Sequence, residues 1–215
     1  KAFLVLDSSA SMAYGSGGIT KHRYATFISA ALTHLMLRQR DAVGLISFDS
    51  ELRTYLPPRS VNSYLHTLLH AIESSAPDGN DTNLADTFHD LAERIKRRAL
   101  IIVLSDLLDD TDQVLNGLKH FRHRSHEVIV FHVIDPREKD LAFDRETLFV
   151  DLESGSQIST EPWQIAKEYR EEVDARLCRL QRECRDNFID YVCLDTETPF
   201  NVALSNYLAK RKHLV

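Results

Sequence analysis

The sequence has little cysteine, no long hydrophobic run and no excess of basic residues. Apolar runs such as Ala99–Leu104 and Val128–Phe131 are far shorter than the roughly 18 residues that a membrane span needs. Lysine and arginine number 26 against 32 aspartate and glutamate residues, and the formal net charge of −6 argues against a nucleic-acid-binding surface as the main function. The three cysteines cannot all pair and have no Cys-x-x-Cys spacing, which favours a reducing compartment. These absences predict an intracellular domain, which we expect in the cytoplasm.

The composition is that of an ordinary globular protein, with 43% hydrophobic and 27% charged residues in a chain of 215. One domain is the default at this length. The chain begins with Lys1 rather than methionine, and no cationic leader with a cleavage site precedes the apolar run Ala2–Leu6. We therefore expect a single domain over residues 1–215 that is a fragment of a longer protein, with no membrane span in the fragment.

Short apolar runs alternate with helical patterns along the chain. Runs without polar alternation are typical of strands that are buried on both faces of a parallel sheet. Apolar residues spaced by three and four positions predict amphipathic helices, as between Tyr24 and Met36. The predicted buried strands are Ala2–Leu6, Val43–Phe48, Ala99–Leu104, Val128–Ile134 and Phe188–Leu194.

Two further segments complete the predicted architecture. Glu51–Leu56 alternates apolar and polar residues, which predicts an antiparallel edge strand that ends at Pro57-Pro58. A small hairpin appended to the sheet is predicted at about residues 147–160. The fold class is therefore α/β, a mostly parallel sheet with one antiparallel edge strand and helices on both faces. Such sheets bind ligands at the carboxyl ends of their strands, where the strand order reverses.

Oxygen-bearing side chains follow two of the predicted strands. Asp7, Ser9 and Ser11 come directly after the first strand, and Asp106 follows the strand that ends at residue 104. If these strands are neighbours at the point of reversal, Asp7 and Asp106 meet across the crevice. Thr82, in a loop before the next helix, can supply another hydroxyl. All these candidate ligands are oxygens, which selects a hard cation such as Mg²⁺, Mn²⁺ or Ca²⁺.

The predicted site is rich in neutral hydroxyls and poor in negative charge. Three hydroxyls and two carboxylates, some of them acting through water, leave a six-coordinate dication under-neutralised and with an exchangeable position. Such an ion tends to bind an external anionic ligand, most simply a Glu or Asp side chain of another protein. This chemistry is typical of a site that recognises a protein partner.

The order and spacing of these residues resemble the metal-ion-dependent adhesion site of the von Willebrand factor A fold. Asp7-x-Ser9-x-Ser11, Thr82 in its loop and Asp106 after an apolar strand carry the resemblance. More narrowly, the chain is similar to a bacterial branch whose largely uncharacterised members are encoded beside MoxR-type AAA+ ATPases. The segments that carry this similarity are 7–16 (DSSASMAYGS), 37–45 (LRQRDAVGL), 55–59 (YLPPR), 105–110 (SDLLDD) and 194–199 (LDTETP). The resemblance covers nearly the whole chain.

The resemblance implies a Rossmann-like, three-layer von Willebrand factor A domain that acts as a non-enzymatic, metal-dependent protein-interaction module. The residues implied as ligands of Mg²⁺, Mn²⁺ or Ca²⁺ are Asp7, Ser9, Ser11, Thr82 and Asp106. The partner would offer a Glu or Asp to the metal, and a MoxR-type AAA+ ATPase is the implied partner, in the assembly or maturation of other proteins. The residues expected to line the partner-binding rim are Met12, Tyr14, Asp81 and Asn83.

Two positions depart from the pattern of the family. Asn80-Asp81 precede Thr82 where the family usually has glycine, so that an extra carboxylate is expected beside the site. Leu107 follows Asp106 where many adhesive A domains have glycine. The first departure allows Asp81 either to join the metal ligands or to repel an acidic partner.

An aspartate at the end of the first strand also fits a metal-dependent phosphoryl-transfer hydrolase with Asp7 as its nucleophile. Haloacid-dehalogenase-type phosphatases have a second aspartate where this chain has Ser9, and no well-placed Lys/Thr pair is evident. The glycine-rich stretch Gly15–Gly18 matches neither a Walker loop nor a dinucleotide-binding motif. The hydrolase therefore stands as the alternative to the binding module.

Overall fold

The computed structural model of the protein describes residues 1–77, 84–152 and 155–212, with side chains up to residue 209. The strands are β1 Ala2–Asp7, β2 Val43–Phe48, β3 Leu52–Arg59, β4 Leu100–Ser105, β5 Glu127–Ile134, β6 Thr147–Val150, β7 Gln157–Thr160 and β8 Ile189–Asp195. The helices are α1 Lys21–Arg38, α2 Tyr64–Ser74, α3 Leu84–Arg94, α4 Thr111–His123, α5 Pro136–Asp140, α6 Pro162–Asp186 and α7 Phe200–Lys212. A short 3-10 helix spans Ala10–Ala13.

The main sheet has six strands in the order β3-β2-β1-β4-β5-β8. β1 pairs in parallel with both β2 and β4, and only β3 runs antiparallel to its neighbour. All six residues of β1 are buried, as expected of a central strand with helices on both faces. The predicted α/β fold class, with one antiparallel edge strand, is confirmed.

Each face of the sheet is covered by its own set of helices. On one face, α3, α4 and α6 contribute Phe88, Phe121 and Leu180 to a core that includes Val5 of β1. On the opposite face, α1, α2 and α7 pack against the alternate residues of the same strands, with Leu4 among them. The alternation of side chains along each strand therefore divides the apolar residues into two layers.

Two details of the sheet differ from the sequence-based expectations. β3 does not end at Pro57-Pro58 but continues through both prolines to Arg59. Prolines are tolerated there because β3 is an edge strand, where a missing N–H donor breaks no pairing on the outer side. The hairpin of β6 and β7 forms a separate two-stranded sheet and does not extend the main one.

The chain reverses its direction of strand addition at β1. It moves from β1 to β2 on one side and later places β4 on the other side, with Leu6 of β1 opposite Leu104 of β4. The carboxyl ends of β1 and β4 therefore meet at a crevice, the position at which such sheets bind ligands. Within the described ranges, no helix has both the length and the apolar character of a membrane-spanning segment.

Candidate functional site

Asp7 is the last residue of β1, and its side chain is completely buried at the carboxyl edge of the sheet. The backbone N–H of Ser9 donates to Asp7 Oδ1 at 2.9 Å. The hydroxyl of Ser105, at the end of β4, donates to Asp7 Oδ2 at 2.5 Å. These two donors fix the carboxylate from its own loop and from the neighbouring strand.

The two serines of the loop turn their hydroxyls toward each other. Ser9 Oγ lies 3.1 Å from Ser11 Oγ, and both side chains are buried. The short 3-10 helix of Ala10–Ala13 produces this arrangement, since it curls the loop over the end of β1. The Ser9 hydroxyl lies close enough to Asp7, and the Ser11 hydroxyl close enough to Asp106, to lower the pKa of the carboxyl beside it.

Four of the five residues that the sequence analysis named as metal ligands thus lie together at this edge of the sheet. They are Asp7, Ser9, Ser11 and Asp106. The fifth, Thr82, lies outside the described residues. The convergence follows from the pairing of β1 with β4, because parallel neighbours bring their carboxyl ends to one edge.

Lys21, which the sequence analysis did not single out, lies inside this group. Its Nζ donates to Asp106 Oδ2 at 2.7 Å and to Glu138 Oε1 at 2.5 Å, and its side chain is only 1% exposed. One sequence signal could have revealed it, since Lys21 occupies the same helical stripe of α1 as the buried Tyr24 and Ala25. A lysine on an apolar helix face is rarely buried unless it is paired.

Glu138 reaches Lys21 from α5, a helix of one turn that the sequence analysis did not predict. Asp135 caps α5, and the Asp135 and Glu138 side chains form a reciprocal capping box with the backbone. Asp135 also accepts two hydrogen bonds from Ser16, from the N–H at 2.7 Å and from the hydroxyl at 2.6 Å. The glycine-rich loop after Tyr14 is therefore tied to the end of β5 beside the site.

The two aspartates have opposite electrostatic environments. Burial and the negative charge of Asp106 raise the pKa of Asp7 to about 7. Burial alone would raise the pKa of Asp106, but the Lys21 ammonium outweighs it and holds that pKa below its ordinary value. Asp106 thus has a cation within hydrogen-bond distance, whereas the described donors to Asp7 are neutral.

The predicted rim is partly wrong. Met12 does not line it, because the 3-10 helix turns the side chain inward and buries it completely in the core that contains Leu4 and Tyr24. Tyr14 is partly exposed, and its ring centroid lies 5.9 Å from the Nζ of Lys21. Asp81 and Asn83 lie outside the described residues.

The donor set fits a hard divalent cation. It consists of carboxylate and hydroxyl oxygens, the ligands that Mg²⁺, Mn²⁺ and Ca²⁺ prefer. No group of three or more His, Cys, Asp or Glu side chains in the described part of the chain could hold a metal ion, so a site here depends on the serine hydroxyls. Asp7, Ser9, Ser11 and Asp106 are the described residues that would hold such an ion.

Residues 1–179 match the family described as protein of unknown function DUF58. The chain belongs to the DUF58 family. This DUF58 chain is 25% identical over 218 residues to Uncharacterized protein Rv1480 of Mycobacterium tuberculosis, in an alignment that covers 99% of the chain and 67% of that protein.

Two solved structures show which fold the DUF58 chain adopts. The conserved hypothetical protein BatB of Bacteroides thetaiotaomicron is similar with a TM-score of 0.61 at 19% identity, covering 97% of each chain. The SpRpn10 VWA domain is similar with a TM-score of 0.51 at 12% identity, covering 95% of this chain and 93% of that one. The fold is therefore of the von Willebrand factor A type.

Proposed function

We propose that this DUF58 domain is a metal-dependent protein-interaction module that binds an acidic side chain of a partner protein. The observation that carries the proposal is the environment of Asp7. This carboxylate is fully buried, lies beside a second carboxylate and receives hydrogen bonds only from neutral groups among the donors that the structure gives. A buried carboxylate of this kind is costly unless a cation is bound to it.

The balance of charge around the site supports a divalent ion. Asp7, Asp106 and Glu138 carry three negative charges when ionised, against the single positive charge of Lys21. One dication would neutralise the remaining two charges. Mg²⁺ is the proposed ion, with Mn²⁺ or Ca²⁺ as substitutes, held by the four described ligands and by Thr82. The bound ion would supply an open position for a Glu or Asp of the partner.

The chain's own residues prepare the site for this role. Ser105 and the Ser9 backbone orient Asp7, while Lys21 orients Asp106. The Ser9 and Ser11 hydroxyls lie 3.1 Å apart beside Asp7 and Asp106, and they add no charge. A partner carboxylate would then approach at the rim next to Tyr14, which is partly exposed.

The geometry of Asp7 favours binding over the phosphoryl-transfer alternative. A nucleophilic carboxylate must present an oxygen to its substrate. In this structure both oxygens of Asp7 accept hydrogen bonds, and the side chain has no exposed surface. A small ion needs only one free lone pair of a carboxylate oxygen, whereas a phosphate ester must itself reach that oxygen, so we propose a ligand role for Asp7.

The proposed partner is a MoxR-type AAA+ ATPase, with the domain acting as an adaptor in the assembly or maturation of other proteins. This part of the proposal rests on the sequence resemblance of the segments quoted above, such as 7–16 and 105–110. The von Willebrand factor A-type fold supports an interaction role in general.

A pull-down with the neighbouring ATPase tests the proposal. We expect the wild-type domain to retain the ATPase in Mg²⁺ and to lose it in EDTA, and Asp7→Asn to lose it in both. Asp49→Asn is the matched control, since Asp49 is a buried aspartate at the same edge of the sheet whose carboxylate already pairs with Arg53 Nε at 2.5 Å. Absence of the ATPase with wild type in Mg²⁺ would contradict the partnership.

A second assay separates the hydrolase from the binding module. Metal-dependent turnover of a generic phosphate ester by the wild type, lost in Asp7→Asn, would favour the hydrolase. We expect no turnover above the buffer rate with either protein. For a binding module we expect retention of the ATPase in Mg²⁺ together with this lack of turnover.

A further inference from the structure

Lys21 is a buried cation at the place where the proposed metal would bind. Its ammonium lies 2.7 Å from Asp106 Oδ2 and 2.5 Å from Glu138 Oε1, and its side chain is 1% exposed. Lysine is almost never fully buried unless it is paired. The ammonium is held between a candidate metal ligand on the loop after β4 and a carboxylate of α5, so that it has a fixed position within the group.

A cation that approaches the serine hydroxyls must share Asp106 with Lys21. One oxygen of Asp106 accepts from the Lys21 ammonium and the other, Oδ1, accepts from the backbone N–H of Leu108 at 3.2 Å. Like charges that share a carboxylate in a buried site repel each other strongly, because little water screens them. The presence of Lys21 therefore weakens the binding of any metal that also uses Asp106.

Displacement of the Lys21 side chain would relieve this repulsion, but it would cost free energy. Its position in α1 is set by the packing of Tyr24 and Ala25 on the same stripe, and Glu138 holds the ammonium from the other side. Removal of one partner from a buried ion pair leaves an uncompensated charge. The ammonium thus also keeps Asp106 in place when no metal is bound.

We propose that Lys21 is a built-in counterion that positions Asp106 in the metal-free domain and competes with the divalent ion for that carboxylate. The competition lowers the metal affinity and makes the ion exchangeable. The ion pair of Lys21 with Asp106 keeps the site folded without metal. This inference rests on the proposed metal site and adds the residue that tunes it. Lys21 is a positioning residue and not itself a metal ligand.

Titration of Mn²⁺ into the wild type and Lys21→Gln at pH 8, followed by calorimetry, tests the competition. We expect Lys21→Gln to bind Mn²⁺ at least about tenfold more tightly than the wild type. In EDTA we expect its melting temperature to fall by on the order of 10 °C, because Asp106 and Glu138 lose their cation. The double variant Lys21→Gln/Glu138→Gln leaves a single carboxylate there, and we expect it to recover part of that loss and to keep the tighter binding.

Lys119→Gln is the matched control, because it also removes a lysine from an ion pair with a glutamate. Lys119 Nζ lies 2.9 Å from Glu183 Oε2, in a pair between α4 and α6 that is about one third exposed and does not contact the site. We expect this variant to bind Mn²⁺ with the wild-type affinity and to melt within about 2 °C of the wild type.

The outcomes distinguish this inference from the proposed function. If the wild type binds Mn²⁺ and both Lys21 variants bind it with equal or weaker affinity, the competition is refuted and the metal site stands. If neither the wild type nor any variant binds Mn²⁺, both proposals fail. If only the Lys21 variants bind it, the competition is supported and metal-dependent recognition by the wild type is refuted.

Discussion

Asp7 and Asp106 end two neighbouring parallel strands, yet the Lys21 ammonium pairs with only one of them. It bonds to Asp106 at 2.7 Å, whereas Asp7 accepts from the Ser9 backbone and the Ser105 hydroxyl. Burial and the charge of Asp106 raise the pKa of Asp7 to about 7. The pair therefore contains one neutralised carboxylate and one that favours either a proton or an added cation, and the stability of the domain should depend on both.

Asp7→Asn should stabilise the metal-free domain at pH 8. The pKa of Asp7 is raised from 3.8 to about 7, so its contribution to stability is fully present below pH 3.8 and is lost as the pH rises through 7. The neutral asparagine avoids this loss, and we expect a gain of roughly 2 kcal/mol at pH 8 and little change at pH 4. Urea unfolding in EDTA at both pH values measures this change in the free energy of unfolding. A variant less stable than the wild type at pH 8 would contradict the raised pKa of Asp7.

The stabilisation by Mn²⁺ should increase as the pH rises, whereas the stability of the metal-free domain should decrease. Protons compete with the metal for Asp7 below its pKa of about 7, so the apparent metal affinity should fall by up to about tenfold for each pH unit below that value. We expect a large rise of the melting temperature with Mn²⁺ at pH 8 and a small one at pH 5.5. A rise that is the same at both pH values would show that Asp7 does not bind the ion.

Ser105→Ala should weaken metal binding without removing a ligand. The Ser105 hydroxyl donates to Asp7 Oδ2, a bond that favours the ionised carboxylate. Its loss should raise the pKa of Asp7 further and shift the onset of Mn²⁺ stabilisation upward by roughly one pH unit. Ser8→Ala is the control, since the buried Ser8 hydroxyl donates instead to the backbone oxygen of Phe48. Equal shifts of the onset pH in the two variants would show that Ser105 has no specific effect on Asp7.

Gly15→Ala should disturb the loop that leads to Lys21, whereas Gly17→Ala should not. A Cβ at Gly15 would lie 2.3 Å from the carbonyl oxygen of Ile19, and the backbone N–H of Lys21 bonds to Tyr14 nearby. A Cβ at Gly17 would meet nothing within 4 Å. We expect a loss of about 2 kcal/mol for Gly15→Ala and less than about 0.5 kcal/mol for Gly17→Ala. Urea unfolding of the two variants compares them directly, and equal losses would show that the loop is not constrained at residue 15.

The part of the site that could be predicted is the part set by strand order. Apolar runs marked β1 and β4, and the rule for parallel sheets then placed Asp7 and Asp106 at one crevice. The parts that could not be predicted depend on short irregular segments. The 3-10 helix turns Met12 inward, and α5, with one turn and no repeating apolar pattern, brings Glu138 to the site. Neither segment is long enough to leave a periodic signal.

The end of the edge strand could have been predicted better. Pro57-Pro58 was expected to end β3, but a proline ends a strand only where its missing N–H is needed by a neighbour. The segment was already predicted to lie at an edge of the sheet, so both prolines were compatible with its continuation. Lys21 is a second signal of this kind, because its place on the apolar stripe of α1 was already visible in the sequence.

Calorimetric titration of the wild-type domain with Mn²⁺ at pH 8, beside Asp7→Asn and Asp49→Asn, tests the metal site most directly. We expect one saturable site in the wild type and in Asp49→Asn and no binding in Asp7→Asn. A wild-type domain that takes up no Mn²⁺, or an Asp7→Asn variant that binds it with undiminished affinity, would contradict the proposed metal site.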